Sequence, residues 1–478
     1  MKRLVILLLP ALLLPFSVAQ AEEEEPGWVP GQAGDGESAP RQQEGPQAAI
    51  LDRGRLTAGT DFNPAISLIL DGVYRNDFSG EVGDPPGFGG HDHGDGHDHV
   101  HGVEEGMRLR EAELTLTGTV DPYFDAVGVI GIHEGGDVDL EEAYVQTRAL
   151  PGGLQVKAGR FLSDIGYINR QHIHDWDFVD QPLVMRELFG DYGLQDTGIQ
   201  ATWLAPLPYY NQYGIEVLQG DTDGVASYVG NESHSIRSFD EGNGEPEALV
   251  WDADNGLDDA SGPRLFTAFA RVGPDLGFSH AALFGISGGY ASTWQDQESH
   301  SSGRLETWDG DAWFAGLDAV YKYDSGRAYG HGNWTVQGEY FYRNIDVDYR
   351  SLEFENDSTL VPTESNDPDE FSGTGKQDGF YLQALYGFAP RWNAGLRAEA
   401  VGLTNRSLEP DRDNNRFEEF DTTYRYSAQV RFMPTEFSVL RAQLNYKDLP
   451  EHDGHDHDSW SFMLQYNISL GEHGAHEF

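Results

Sequence analysis

From residue 64 onward the chain alternates apolar and polar positions with a period of two, and the alternation breaks into sixteen segments. They run at 64–74, 107–120, 123–132, 138–148, 154–160, 197–205, 209–219, 264–272, 277–288, 311–323, 333–348, 377–388, 391–402, 421–434, 437–447 and 458–470. In the last segment Trp460, Phe462, Leu464, Tyr466, Ile468 and Leu470 share one face, opposite Ser461, Met463, Gln465, Asn467 and Ser469. Residues 437–447 set Leu440, Ala442, Leu444 and Tyr446 against Arg441, Gln443, Asn445 and Lys447. Such strands turn an apolar face to lipid and a polar face to a watery lumen. A half-buried sandwich alternates in the same way, so the connections must choose between the two.

The connections differ by parity. Even-to-odd links are mostly tight and marked by proline: Asp121-Pro122, Pro151-Gly152-Gly153, Pro206-Leu207-Pro208, Gly273-Pro274, Ala389-Pro390 and Pro434-Thr435, with 324–332 the longer exception. Odd-to-even links include the acidic stretches 75–106, 161–196, 220–263, 289–310, 349–376 and 403–420. Short turns at one end and long loops at the other define an outer-membrane barrel, a parity that a sandwich does not need. The expectation is an all-β transmembrane antiparallel β-barrel of about 16 strands, with short periplasmic turns and long acidic extracellular loops.

What precedes the alternation fits export. Met1 to Ala21 has a basic start at Lys2 and Arg3, an apolar run from Leu4 to Ala19 and a small-residue exit, which reads as a signal peptide over residues 1–21. Residues 22–63 are acidic and rich in Gly, Pro and Gln, so they read as a flexible periplasmic lead, too short for a folded plug domain. The barrel then occupies 64–478. The chain has no cysteine, which removes disulfides and thiolate metal sites. A hydrophobic share of 38% is poor for a large soluble core but ordinary where alternate strand residues face water. With 80 Asp and Glu against 31 Lys and Arg, the chain favours cations and excludes nucleic acid as a partner. Solvated acidic loops would give the same charge.

Residues 153–206, GLQVKAGRFLSDIGYINRQHIHDWDFVDQPLVMRELFGDYGLQDTGIQATWLAP, resemble the strand, third loop and strand of the phosphate-selective porin superfamily. The opening FNPAISLILDGVYRN, a histidine-rich loop and the ending LGEHGAHEF resemble a subgroup of outer-membrane proteins described as zinc-regulated and TonB-dependent. The resemblance implies a homotrimer of porin barrels in outer-membrane lipid, and it favours zinc among metals. Two features depart from it. The loops are acidic where a phosphate pore needs arginine and lysine, and 22–63 cannot supply the plug of an energised receptor.

The candidate chemistry is histidine. His91, His93, His97, His99 and His101 alternate with Asp92, Asp95 and Asp98, and near the other end His452, His455 and His457 alternate with Asp453, Asp456 and Asp458. Imidazole has an ordinary pKa of about 6.5, so it is mostly neutral at pH 7 and free to coordinate, and His-x-His spacing can place two ligands on one ion. Barrel closure pairs the last strand with the first, which brings the loops carrying both clusters to one seam. A solvated tract that binds metal as loosely as a histidine tag fits the same composition. The loop 161–196 adds His172 and His174 beside Asp175, Trp176 and Asp177, and ordinary loop packing explains that pair equally well. There Arg170 and Arg186 can pair with Asp164, Asp175 or Glu187.

Lys157, Arg397, Arg425, Arg431 and Arg441 fall on inward positions and are candidate pore-lining residues. They would either oppose the acidic loops across the pore or pair with carboxylates that stiffen the wall. No HExxH, GxSxG, Walker or GxGxxG motif stands in a sensible context, so the chain reads as a non-enzyme. The reading is an outer-membrane porin-like channel for divalent metal cations, with zinc weakly bound at the mouth and other divalent metals open. A surface metal receptor or buffer without conductance and a general small-solute porin remain alternatives.

Overall fold

The computed structural model describes residues 64–78, 84–88, 103–222, 224–231, 233–240, 247–300, 304–356, 362–364, 369–411, 414–450 and 458–471. Signal segment 1–21 and lead 22–63 lie outside the described residues.

Sixteen antiparallel strands form the wall, in chain order: β1 Ala65–Asp77, β2 Gly106–Thr119, β3 Phe124–Ile132, β4 Val138–Thr147, β5 Leu154–Leu162, β6 Gln195–Leu204, β7 Tyr210–Leu218 and β8 Leu265–Gly273. They continue with β9 His280–His300, β10 Arg304–Tyr323, β11 Trp334–Asn356, β12 Asp369–Ala389, β13 Trp392–Asp411, β14 Thr423–Thr435, β15 Ser438–Asp448 and β16 Ser459–Gly471. Each pairs with its sequence neighbours, and β16 pairs with β1 from Ser67 opposite Gly471 to Asp77 opposite Ser461, which closes the barrel. Every strand read from the alternation is present.

Five strands are longer than the sequence suggests. β9 to β13 run for 20 to 23 residues, whereas a strand needs only about 9–11 to cross a bilayer. The stretches 289–310, 349–376 and 403–420, read as acidic loops, are largely strand. β10 shows why. Its outward residues Trp313, Ala315, Leu317, Ala319 and Tyr321 make an apolar stripe with aromatic ends, about 26 Å long at ~3.3 Å per residue. Above Trp313 come Asp311 and Asp309, so the strand leaves lipid while its hydrogen-bonded ladder with β11 continues. Rings on neighbouring strands meet near the turn side, Trp334 on Tyr386 at 4.6 Å and Trp392 on Phe432 at 4.5 Å between centroids, as an interfacial girdle requires.

Among the described residues no helix is long and apolar enough to cross a membrane; strands do the crossing. Three short additions stand off the wall: a hairpin of Ser233–Asp240 with Glu247–Asp254, and the segments Pro362–Glu364 and Arg416–Glu419 against β11 and β13. The sequence reading missed all three. No plug domain occurs among the described residues. What enters the barrel is the β5–β6 connection, residues 163–194, whose short helix α1 (Leu183–Phe189) packs on β11, β12 and β13.

Candidate functional site

The inserted loop meets two unlike walls. Its apolar residues Ile165, Ile168, Leu183, Val184, Met185, Leu188 and Phe189 join a core inside the barrel with Phe314, Phe341 and Tyr381 of the wall. Phe189 lies edge-on to Phe314 at 5.1 Å and to Phe341 at 5.0 Å. This core holds the loop against β10 to β13 and fills that side of the lumen.

Residues 176–181 run along β13 to β16 without secondary structure of their own, so their buried carbonyls need other donors. Side chains of the wall provide them in succession. Arg441 donates to Trp176 O (2.8 Å) and Phe178 O (3.3 Å), Gln429 to Asp177 O (2.8 Å) and Arg110 to Val179 O (2.6 Å). Arg397 donates to Asp180 O (2.9 Å) and Arg425 to Gln181 O (2.6 Å). Asp180 also takes ion pairs from Arg397 (2.5 Å) and Arg425 (3.0 Å), and both arginines pair with the buried Glu399. Burial alone would raise the Asp180 pKa, but the two guanidiniums hold it well below the usual carboxylate range. Arg431 reaches Asp177 at 3.3 Å.

Four of the five cationic inward positions therefore hold the loop as well as facing the interior. The fifth, Lys157, places its ammonium 4.9 Å from the Tyr144 ring and 5.1 Å from the Phe161 ring. In the loop itself Arg186 pairs with Glu187 at 2.5 Å, as its position suggested.

The opposite wall is acidic. Two β-bulges shape it: opposite β1 the extra residue on β2 is Arg110, beside Glu111, and opposite β3 the extra residue on β4 is Glu141, beside Glu142. The bulges bring consecutive charged residues inward, where strict alternation would send one of each pair to lipid. Glu113 follows two residues after Glu111 on the same face. Between them β3 carries Gly131, where a Cβ would stand 2.7 Å from Glu111 Oε1 and 2.7 Å from Glu141 Oε1. Only a glycine leaves these carboxylates room to approach.

Into this acidic pocket the loop lowers His172 and His174. His172 Nδ1 is 3.1 Å from Glu141 Oε2 and 3.6 Å from Glu113 Oε2, while its Nε2 is 3.2 Å from Glu142 Oε2. His174 Nδ1 is 2.9 Å from Glu113 Oε2, and the two rings stack 5.8 Å apart at 11°. Burial works against charge on both rings. For His172, Glu141, Glu142 and Glu113 outweigh it and hold the pKa well above the ordinary imidazole value; for His174, Asp175 and Glu113 do the same.

The other sequence candidates stand elsewhere. His91, His93, His97, His99, His101, His452, His455 and His457 lie outside the described residues. A further grouping at the outer end of β9 and β10 joins His300 to Glu306 (2.8 Å) and Glu298 (3.6 Å), with Glu306 also bonded by Tyr349 (2.5 Å). The four glutamates of the pocket escaped the sequence reading. Their available signals were the Glu-x-Glu spacing of Glu111 and Glu113 and the adjacent pair Glu141–Glu142, which breaks the alternation of its strand.

A closed sixteen-stranded wall, apolar outside and polar inside, with an inserted loop, defines a porin-like β-barrel of the outer membrane. The chain belongs to one family with a protein of Aquifex aeolicus (strain VF5) described as an uncharacterized protein, to which it is 33% identical over 433 residues, covering 87% of this chain and 80% of that one. No protein-family model matches it. Among solved structures it is similar to the outer-membrane channel DcaP of Acinetobacter baumannii (TM-score 0.48, 11% identity, 85% of this chain and 97% of that one). It is also similar to OmpT of Vibrio cholerae (0.46, 9%, 87% and 100%) and OprB of Pseudomonas putida (0.46, 10%, 88% and 96%).

Proposed function

We propose that this barrel is an outer-membrane channel for divalent metal cations, zinc foremost, and that the histidine clusters 91–101 and 452–457 gather metal at its outer mouth. The observation that carries the reading is the β1–β16 seam. At its outer end Phe78 N–H donates to Trp460 O at 2.8 Å, but just before the first cluster Asp84 pairs with Arg186 of α1 at 2.9 Å and Pro86 O accepts from Asn405 of β13 at 2.9 Å. The chain returns to the seam at Val103, which is buried with Val73 and Met463 of the seam strands. The second cluster ends next to Asp458, one residue before β16. The end of each histidine-rich stretch is therefore tethered to the same pair of strands, which supports a shared site there.

The formal charge of -49 supports cation preference by raising the local cation concentration at the mouth. That preference should fade as salt rises, because the Debye length is only ~8 Å at physiological ionic strength.

A planar bilayer with a salt gradient across it tests the reading. The expected result is a cation-selective reversal potential, together with zinc uptake into liposomes that drops at low zinc when the eight cluster histidines are changed to asparagine. An anion-selective potential overturns the cation preference. Tight zinc binding without flux would mark a surface receptor or buffer, and neutral-solute swelling indifferent to zinc would mark a general porin.

A further inference from the structure

We infer that His172 of the inserted loop, with Glu113 of β2 and Glu141 of β4, forms a coordination site for a divalent transition-metal cation inside the barrel, with His174 beside Glu113. Four N and O ligands about 2.0–2.1 Å from a tetrahedral ion stand roughly 3.3 Å from one another. Two separations here stand near that value, 3.1 Å from His172 Nδ1 to Glu141 Oε2 and 3.6 Å from His172 Nδ1 to Glu113 Oε2, and the three donor atoms lie within 4.8 Å of one another; His174 Nδ1 reaches Glu113 Oε2 at 2.9 Å without joining that group. The Nδ1 atoms of two parallel rings thus converge on one carboxylate oxygen.

The far side of each ring supports the same assignment. His172 Nε2 faces Glu142 at 3.2 Å and His174 Nε2 faces Asp175 at 3.6 Å. A carboxylate behind the second nitrogen is how proteins orient an imidazole that binds metal through the first. Glu142 also accepts the Leu162 N–H at 3.0 Å, which fixes it to the start of the loop. Glu142 is therefore a positioning residue, and Glu113 and Glu141 are ligands.

A purely ionic latch between loop and wall is the competing account, and the inventory of partners weighs against it. Glu111 Oε1 and Glu141 Oε1 are buried with no hydrogen-bond partner among the described residues, and Glu113 Oε2 and His174 Nδ1, though 2.9 Å apart, meet outside hydrogen-bond geometry. Their side chains are nine-tenths buried or more, and Arg110, the adjacent cation, is turned to Asp71 at 2.7 Å. Four carboxylates therefore face two imidazoles, and even with one proton shared between Glu111 and Glu141 the carboxylates outnumber the rings; a buried negative charge left unmatched is costly. A cation supplies the missing partner. Mixed imidazole and carboxylate donors suit zinc, cobalt, manganese or ferrous iron better than calcium or magnesium, which prefer oxygen alone.

The inference rests on the ligand set and not on transport, since a barrel that conducts nothing can still hold the ion. The test uses full-length protein in detergent, freed of metal by a chelator, with the eight cluster histidines changed to asparagine so that only the interior site remains. Titration with zinc should show one tight site per chain, and cobalt should give the visible absorption of a four-coordinate centre. His172→Ala with His174→Ala should abolish the cobalt band, and Glu142→Gln should weaken zinc by about 10–100-fold. If the double variant fails to fold, Glu113→Gln carries the same expectation. Absence of tight zinc binding, or binding unchanged by these substitutions, overturns the site. Loss of flux with the site intact overturns only the channel reading.

Discussion

The inserted loop is held by two walls in opposite ways. On the basic side, six consecutive carbonyls from Trp176 to Gln181 each receive a side-chain hydrogen bond, five from β13 to β15 and that of Val179 from Arg110 of β2, and Asp180 and Glu399 are matched by Arg397 and Arg425. On the acidic side, His172 and His174 dock among glutamates whose oxygens are left partly unpaired. The basic contact matches its charges and carbonyls within the protein, leaving only neutral or donor atoms such as Gln181 Oε1, Gln429 Oε1 and Arg441 Nε without a partner; the acidic one leaves carboxylate oxygens unmatched. A structural anchor and a candidate functional site thus sit on the same loop, fewer than ten residues apart.

The largest break in this comparison should come from the finished side. Arg397→Met leaves Asp180 and Glu399 short of a partner in a buried network, and should destabilise the folded barrel by about 3 kcal/mol in denaturant unfolding. A loss near zero would mean that the anchor is as loose as a surface ion pair.

The unfinished side should respond to pH in metal-free protein. The His172 pKa is raised on folding, so its contribution is fully present below the unfolded value of about 6.5 and is lost as pH rises through the folded value. Melting temperature in a chelating buffer should therefore fall from pH 6 toward alkaline pH more in the native chain than in His172→Ala. Parallel curves would deny the histidine that role.

A smaller effect, of the opposite sign, is expected at Glu111. Glu111→Gln removes one of the crowded carboxylates and should be neutral or stabilising by up to about 1 kcal/mol without metal. Destabilisation on the scale of Arg397→Met would show that the acidic side is already matched. Smallest of all, Arg431→Ala breaks a partly exposed 3.3 Å contact with Asp177 and should cost under about 1 kcal/mol by the same unfolding measurement.

Most of the wall was legible because lipid on one face and water on the other impose a period of two on every crossing. Where that asymmetry ends, so did the reading: the outer halves of β9 to β13 carry residues such as Asp309, Glu298 and His300, polar without regard to face, and read as loop although their ladders continue. The loop histidines were visible as His-x-His. Their partners were not, because the inward turn of Glu141 and Glu142 depends on a bulge, and a bulge is a property of two strands in register. The arginines at 397, 425, 431 and 441 were read as inward, but that they would bond a loop far away in sequence has no local signature.

That distance bears on how the protein is made. Five of the six carbonyls from Trp176 to Gln181 find donors 217 to 265 residues further along the chain. Until β13 to β16 stand in the wall, segment 176–181 lacks almost all of its partners, and its carbonyls must stay hydrated. The segment therefore docks only after those strands have formed. A protease cut within 176–181 would then serve as a clock for assembly, open to attack in a stalled intermediate and hidden once the last strands have joined the first.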